Sequence, residues 1–169
     1  MKSGARTPRA LATIRLLALD VDGVLTDGRL YFGAKGEALK VFHVRDGHGI
    51  KLLQGSGVTV VAISGRKSPA VAARMRELGV DTVVQGCKDK VAALQAIAKP
   101  LDISLHACAC LVDDTPDMPL MSSVGFAAAV ADAHPLVKRA AHWVSTTTGG
   151  HGAVRELCDA ILRARAVRR

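Results

Sequence analysis

The chain has 169 residues, 49% apolar and 22% charged, with 16 glycines and only 3% aromatic residues, which suits one globular domain with tight turns and an aliphatic core. No apolar run approaches the ~18–20 residues of a membrane span, and no small-residue cleavage site follows a clean apolar stretch, so neither membrane insertion nor a signal peptide is expected. The formal charge of +8 belongs to the termini, with Lys2, Arg6, Arg9 and Arg15 at the start and Arg163, Arg165, Arg168 and Arg169 at the end, while the other 15 basic residues balance the 15 acids. With one Trp, one Tyr and three Phe there is little to stack on bases, and nucleic acid is not an expected partner.

"IRLLALDV" opens the body as a short apolar run ending in acid and then Gly23, the pattern of a buried strand. "GRLYFGAKGEALKVFHV" has two short runs, Arg29–Phe32 and Ala38–Val44, around the Gly-rich "GAKGE", which predicts a β-hairpin. Arg45–Gln54, with apolar Ile50, Leu52 and Leu53, predicts a helix. "VTVVAIS", Val58–Ser64, is a second, β-branched strand. Ser68 and Pro69 then read as the N-cap and first residue of a helix that Gly79 stops after Leu78. "DTVVQG" is a third strand, followed by a helix over Asp89–Ala98. "HACACLV" is a fourth, which turns Cys108 and Cys110 to one face. A helix over Pro116–Met121, a strand in "GFAAAV" and helices over His134–Ala141 and Ala153–Ala166 complete the chain. Strands alternating with helices predict an α/β fold: a Rossmann-like, doubly wound parallel sheet covered on both faces, with a small β-hairpin inserted after the first strand. Residues 1–169 read as a single domain, with a core over about 15–163, a flap over 28–44 and basic termini. Cys87, Cys108, Cys110 and Cys158 lack the usual spacing of a zinc site and read as small thiols in a reducing cytoplasm.

Open α/β sheets bind ligands beyond the carboxyl ends of their strands. Here those ends carry Asp20 and Asp22, then Ser64, Gly65 and Arg66, then Gly86, Lys88 and Lys90, then Asp113, Asp114 and Asp117. The last three acids fall within "CLVDDTPD", with no Lys or Arg between Lys99 and Lys138, so their convergence calls for a cation. Carboxylate oxygens suit a hard ion such as Mg²⁺. A hydroxyl, turn N–H groups and a Lys suit a phosphate. Together these point to phosphoryl transfer.

"LDVDGVLTDG", "ISGR", "KDK" and "DDTPD" resemble, in order, the four motifs of the haloacid dehalogenase superfamily. Further matches in "DVDGVLTDGRLYFGAKGEALKVFHVRDGHGI", "GRK", "AVADAHPLVKRAA" and "GGHGAVRE" resemble its 3-deoxy-D-manno-octulosonate 8-phosphate phosphatases over roughly Leu16 to Leu162. The resemblance implies a Mg²⁺-dependent phosphatase without a cap domain. It makes Asp20 the nucleophile and Asp22 the general acid and base, with Ser64 and Lys90 on the phosphoryl oxygens. Mg²⁺ falls to Asp20, the backbone carbonyl of Asp22, and Asp113, with Asp114 and Asp117 behind them. Spacing alone does not choose between Lys88 and Lys90; the resemblance selects Lys90. Recognition of the sugar acid falls to His43, Val44, Arg45, Asp46 and Gly47, with Lys51, Arg66 and Arg74. The resemblance further implies a cytoplasmic homotetramer built through the hairpins, a neighbour's hairpin covering each site. Its alternatives are a phosphatase of nine-carbon, sialic-acid-type 9-phosphates and an inactive oligomeric binding relative. One position departs from the family pattern: Val112 stands where a Gly is usual. A Gly needed for positive φ or close approach would leave Asp113 displaced here; a plain last strand residue would suit Val. The second is the expectation.

Overall fold

The structure is a computed structural model that describes residues 6–167; the basic-tail residues Lys2, Arg168 and Arg169, with the Arg6 side chain, lie outside the described residues. Strand β1 (Leu16–Leu19) is buried at all four positions, as expected for a central parallel strand covered on both faces. Beside it lie β4 (Thr59–Ser64) and β6 (Cys108–Val112), and the six-stranded parallel sheet runs β5-β4-β1-β6-β7-β8, with β5 at Val83–Gln85, β7 at Phe126–Ala129 and β8 at Trp143–Val144. The chain leaves β1 toward one edge and later returns to fill the other, so β1 marks the point where strand order reverses.

Helices α2 (Val44–Gly55) and α7 (Ala153–Ala166) pack together, and α1 (Arg6–Ala12) rests on α7. The other group is α4 (Lys90–Ala98), α5 (Met118–Ser123) and α6 (Pro135–Ala140), with α3 (Pro69–Leu78) touching α2. In α7 the buried residues Ala153, Val154, Leu157, Cys158 and Ile161 recur at helical spacing and form one apolar stripe. Each such fully buried aliphatic side chain contributes about 1.5–3 kcal/mol.

All five expected strands form, and β8 is an addition. Two residues at an edge are too few to show a period of two, so only the sheet reveals it. The helix α1 was also absent from the sequence pattern; Leu11 and Ile14 anchor that segment in the core. The hairpin is tighter than expected, pairing β2 (Tyr31–Gly33) with β3 (Gly36–Leu39), because His43 caps α2 and draws Val44 into the helix. Its two strands form a sheet of their own. The segment expected as a helix from Pro116 starts as a 3₁₀ turn, Thr115–Asp117, before α5 begins at Met118. Ser68 holds the N-cap position of α3 without capping it: its hydroxyl donates to Glu37 of the hairpin, while its N–H donates to Gln85.

Two residues expected to touch the sugar are structural instead. Asp46 is buried and accepts the N–H groups of Gly152, at 3.2 Å, and Arg155, at 2.9 Å, so it satisfies donors at the start of α7. Burial raises its titration above the ordinary value, partly opposed by those donors. Gly47 is where α2 meets α3: a Cβ there would come within 2.5 Å of the Arg74 guanidinium and 2.9 Å of Leu78. Replacing Asp46 with Ala leaves buried donors unpaired and should cost about 1–3 kcal/mol, read as a lower urea midpoint at unchanged slope. Unchanged stability would refute the capping role.

Candidate active site

The parallel register sets the site. Leu19 pairs with Ala62 and with Leu111, so the chain reaches Asp20, Ser64 and Asp113 within one or two residues of the same level. The Asp20 N–H still donates to Leu111 O at 3.1 Å, extending the ladder to the carboxylate itself. Past it the chain turns at Gly23, with φ 86°, where a Cβ would fall 2.1 Å from Asp113 Oδ2. Glycine is therefore required both by the turn and by the close approach of Asp113.

Val112 is fully buried as the last residue of β6, paired with Ala129. Its backbone is that of an ordinary strand, and Asp113 follows into the site, as expected. The close approach needing glycine occurs at Gly23, on the neighbouring strand.

Asp20, Asp113 and Asp117 each offer an oxygen to a group within 4.8 Å. Asp117 is therefore a member of the cluster and not a group behind it, a correction to the sequence reading. The 3₁₀ turn causes this by swinging Asp117 back under the strand ends. Asp114 is exposed and caps that turn, accepting from Thr115 N at 2.7 Å. Lys90, first residue of α4, places Nζ 2.8 Å from Asp20 Oδ1 and 2.6 Å from Asp117 Oδ1. Burial disfavours its charge, but Asp20 and Asp117 outweigh burial and raise its titration. Lys88 is exposed and lies outside the cleft, which decides between the two lysines. Ser64 is buried at the end of β4, its oxygen accepting from Arg66 N at 3.1 Å.

One ammonium is too little for three carboxylates. Burial first, then Asp20 and Asp117, pushes Asp113 up to about 8; burial, then Asp20, pushes Asp117 up to about 6. Asp117 Oδ1 is buried, and the Lys90 ammonium 2.6 Å away is shared with Asp20. An all-oxygen cluster of three carboxylates around one shared ammonium has excess negative charge and fits a hard divalent ion. Asp22 lies outside the cluster; Lys40 contacts its Oδ1, and Arg66 Nε is 3.9 Å from its Oδ2.

These groups border a cleft of about 330 Å³ lined by Asp20, Asp22, Ser64, Arg66, Lys90 and Asp113, among others. Of the residues expected to hold the sugar, Arg66 alone is there. His43 caps α2 through Arg45 N, Arg74 pairs with Glu77 at 2.8 Å, and Val44, Arg45 and Lys51 are exposed outside the cleft. Sequence reasoning missed Glu37 and Lys40, which reach the rim from the hairpin, and Thr26. The Thr26 hydroxyl accepts from Gly23 N and Gly28 N at 3.3 Å, holding the turn after Asp22. Its place in "DGVLTDG" was the only available signal.

This set of strand-end acids, hydroxyl and lysine around a reversal strand defines a haloacid dehalogenase-like hydrolase, and a model of that family matches residues 82–157. The chain is 46% identical to the 3-deoxy-D-manno-octulosonate 8-phosphate phosphatase KdsC of Yersinia pestis over 153 residues, covering 90% of this chain and 82% of that protein. It is 47% identical to the KdsC of Escherichia coli K12 over 151 residues, 89% and 80% of the two chains. The crystal structure of the Yersinia pestis phosphatase superposes with a TM-score of 0.94 at 44% identity, covering 96% of this chain and 88% of that one. The Moraxella catarrhalis phosphatase, solved with a magnesium ion, a phosphate ion and a KDO molecule, superposes with a TM-score of 0.94 at 37% identity, covering 97% and 94%. The chain belongs to the 3-deoxy-D-manno-octulosonate 8-phosphate phosphatase family.

In the unfolded chain Asp113 and Asp117 titrate near 3.8, so between about pH 4 and pH 8 the metal-free folded protein holds extra protons and loses stability as pH rises. A divalent ion replaces those protons. The rise in Tm on adding millimolar Mg²⁺ should be larger near pH 8 than near pH 5.5. A larger rise at the lower pH would refute binding at these carboxylates.

Proposed function

We propose that this chain is a Mg²⁺-dependent phosphatase that hydrolyses 3-deoxy-D-manno-octulosonate 8-phosphate to the free sugar acid and phosphate. The observation that carries it is Asp20 at the cleft floor, beside two further acids and one lysine, in a member of this phosphatase family.

An Asp20 oxygen attacks phosphorus as the bond from phosphorus to the sugar oxygen breaks, and Asp22 gives that oxygen its proton. Asp20 is left as an aspartyl-phosphate. Asp22 then takes a proton from water, whose oxygen attacks phosphorus, and the bond to Asp20 breaks to release phosphate. Lys90 and the Ser64 hydroxyl hold phosphoryl oxygens while charge redistributes over them. Asp20, the Asp22 carbonyl and Asp113 would hold Mg²⁺, with Asp117 beside them, and the ion would neutralise charge between the Asp20 carboxylate and the substrate phosphate. Arg66, exposed at the rim, suits the substrate carboxylate. The inactive-relative alternative rested on Val112, and Val112 occupies an ordinary strand position.

The reading includes a homotetramer joined through the hairpins. Leu30, Phe32, Leu39 and Val41 are all exposed there, Phe32 at 64%, a cluster unusual for a monomer's surface. It also places the enzyme in the cytoplasm, consistent with four unpaired cysteines. No helix among the described residues is long and apolar enough to cross a membrane.

Asp20→Asn should lower phosphate release on the order of a thousandfold or more while leaving the circular dichroism unchanged; retained turnover would remove Asp20 as nucleophile. The eight-carbon 8-phosphate should exceed a nine-carbon 9-phosphate in kcat/KM, and the reverse order would reassign the substrate. Phe32→Asp should shift the sedimenting species from tetramer toward monomer, and a wild-type monomer would end the assembly reading.

A further inference from the structure

The hairpin exposes its apolar residues, yet two of its polar side chains reach into the site. The Lys40 side chain is 2% exposed and is shared between two carboxylates, Asp22 and Glu37, the latter at 3.2 Å. Glu37 accepts in turn from the Ser68 hydroxyl and from Arg66 Nη2, the latter at 3.3 Å. Both carboxylates of the network are thereby satisfied, and the hairpin is tied to the ends of β4 and the start of α3. Arg66 Nε faces the other oxygen of Asp22. Lys40 thus holds Oδ1, while Arg66 lies beyond hydrogen-bond distance of Oδ2, which leaves Oδ2 to carry the proton that Asp22 delivers, and the side chain is held apart from Asp20, Asp113 and Asp117. A buried ammonium needs pairing, and Glu37 alone would supply it. The second partner is a site residue.

We infer that Lys40 is a positioning residue, anchored by Glu37, that holds the Asp22 side chain toward the leaving-group oxygen. Without it, Asp22 is free to turn through its side-chain rotamers, and proton delivery to the sugar oxygen slows. Phosphoryl transfer to Asp20 retains its own groups. This inference rests on the assignment of Asp22 as general acid.

Help from an acid grows with the basicity of the leaving group. A sugar alkoxide needs a proton to depart, and p-nitrophenolate does not. The test therefore compares kcat/KM, which reports the steps through aspartyl-phosphate formation, on 3-deoxy-D-manno-octulosonate 8-phosphate and p-nitrophenyl phosphate. Lys40→Met should lose on the order of tenfold more on the sugar phosphate than on the nitrophenyl ester. Glu37→Gln should show the same bias to a smaller degree, and decides the matter if Lys40→Met fails to fold. Adding Lys40→Met to Asp22→Asn should produce little further loss on the sugar phosphate. Equal losses on both substrates, or fully additive losses, reduce Lys40 to a staple of the hairpin and overturn the inference. If Asp22→Asn itself lacks the bias, the general-acid assignment falls and takes the inference with it. Wild-type inactivity on both substrates would overturn the proposed function instead.

Discussion

Much of this structure answers to the repulsion among Asp20, Asp113 and Asp117, whose oxygens lie within 4.8 Å of one another against one neighbouring lysine. Like charges so close and so buried are tolerated only where the backbone holds them rigidly and a cation joins them. The sheet supplies the rigidity. β1 and β6 are adjacent, parallel and buried, so neither acid can retreat to solvent without breaking the ladder. That constraint stores the demand for a divalent ion.

The loops beyond the sheet keep this arrangement from relaxing. Thr26 ties the turn that follows Asp22. The Gly149–Gly150 corner presses on the same turn: a Cβ at Gly149 would sit 1.7 Å from Gly23 O, while Gly150 N donates to Val24 O at 2.9 Å. Glu156 holds the segment before that corner by accepting from Thr146 N and Thr147 N, and Asp46 holds the start of α7 behind it. Positions in "GGHGAVRE" outside the cleft lining thus brace the loop that follows Asp20 and Asp22.

The hairpin divides its work between two faces. Apolar side chains remain outside, available for association, while Glu37 and Lys40 engage Asp22, Arg66 and Ser68. Without a cap domain, the hairpin is the element of this chain that closes over the rim of the cleft. Its polar contacts link the shape of that rim to the orientation of Asp22.

The sequence by itself determined the alternation of strands and helices and the hairpin after β1, and it set Asp20, Ser64 and the acids of "DDTPD" at strand ends, while the roles proposed for them came from the family resemblance. These are local signals: apolar runs ending in Asp or Ser, and short motifs whose spacing reflects one turn of chain. Spacing alone left Lys88 and Lys90 open and only the resemblance chose Lys90, whereas the packing of α4 turns its first residue, Lys90, onto Asp20 and Asp117 and leaves Lys88 exposed. The sequence reading assigned Asp46 and Gly47 to the sugar, whereas contacts with α7 and α3, far away in sequence, make them structural. It set Asp117 behind the metal, because a 3₁₀ turn that swings a side chain inward has no pattern of its own. Glu37 and Lys40 were silent for the same reason. Their role comes from where the hairpin folds back, and that is decided by tertiary packing, because charged residues on a short strand look alike whether they meet water or a carboxylate.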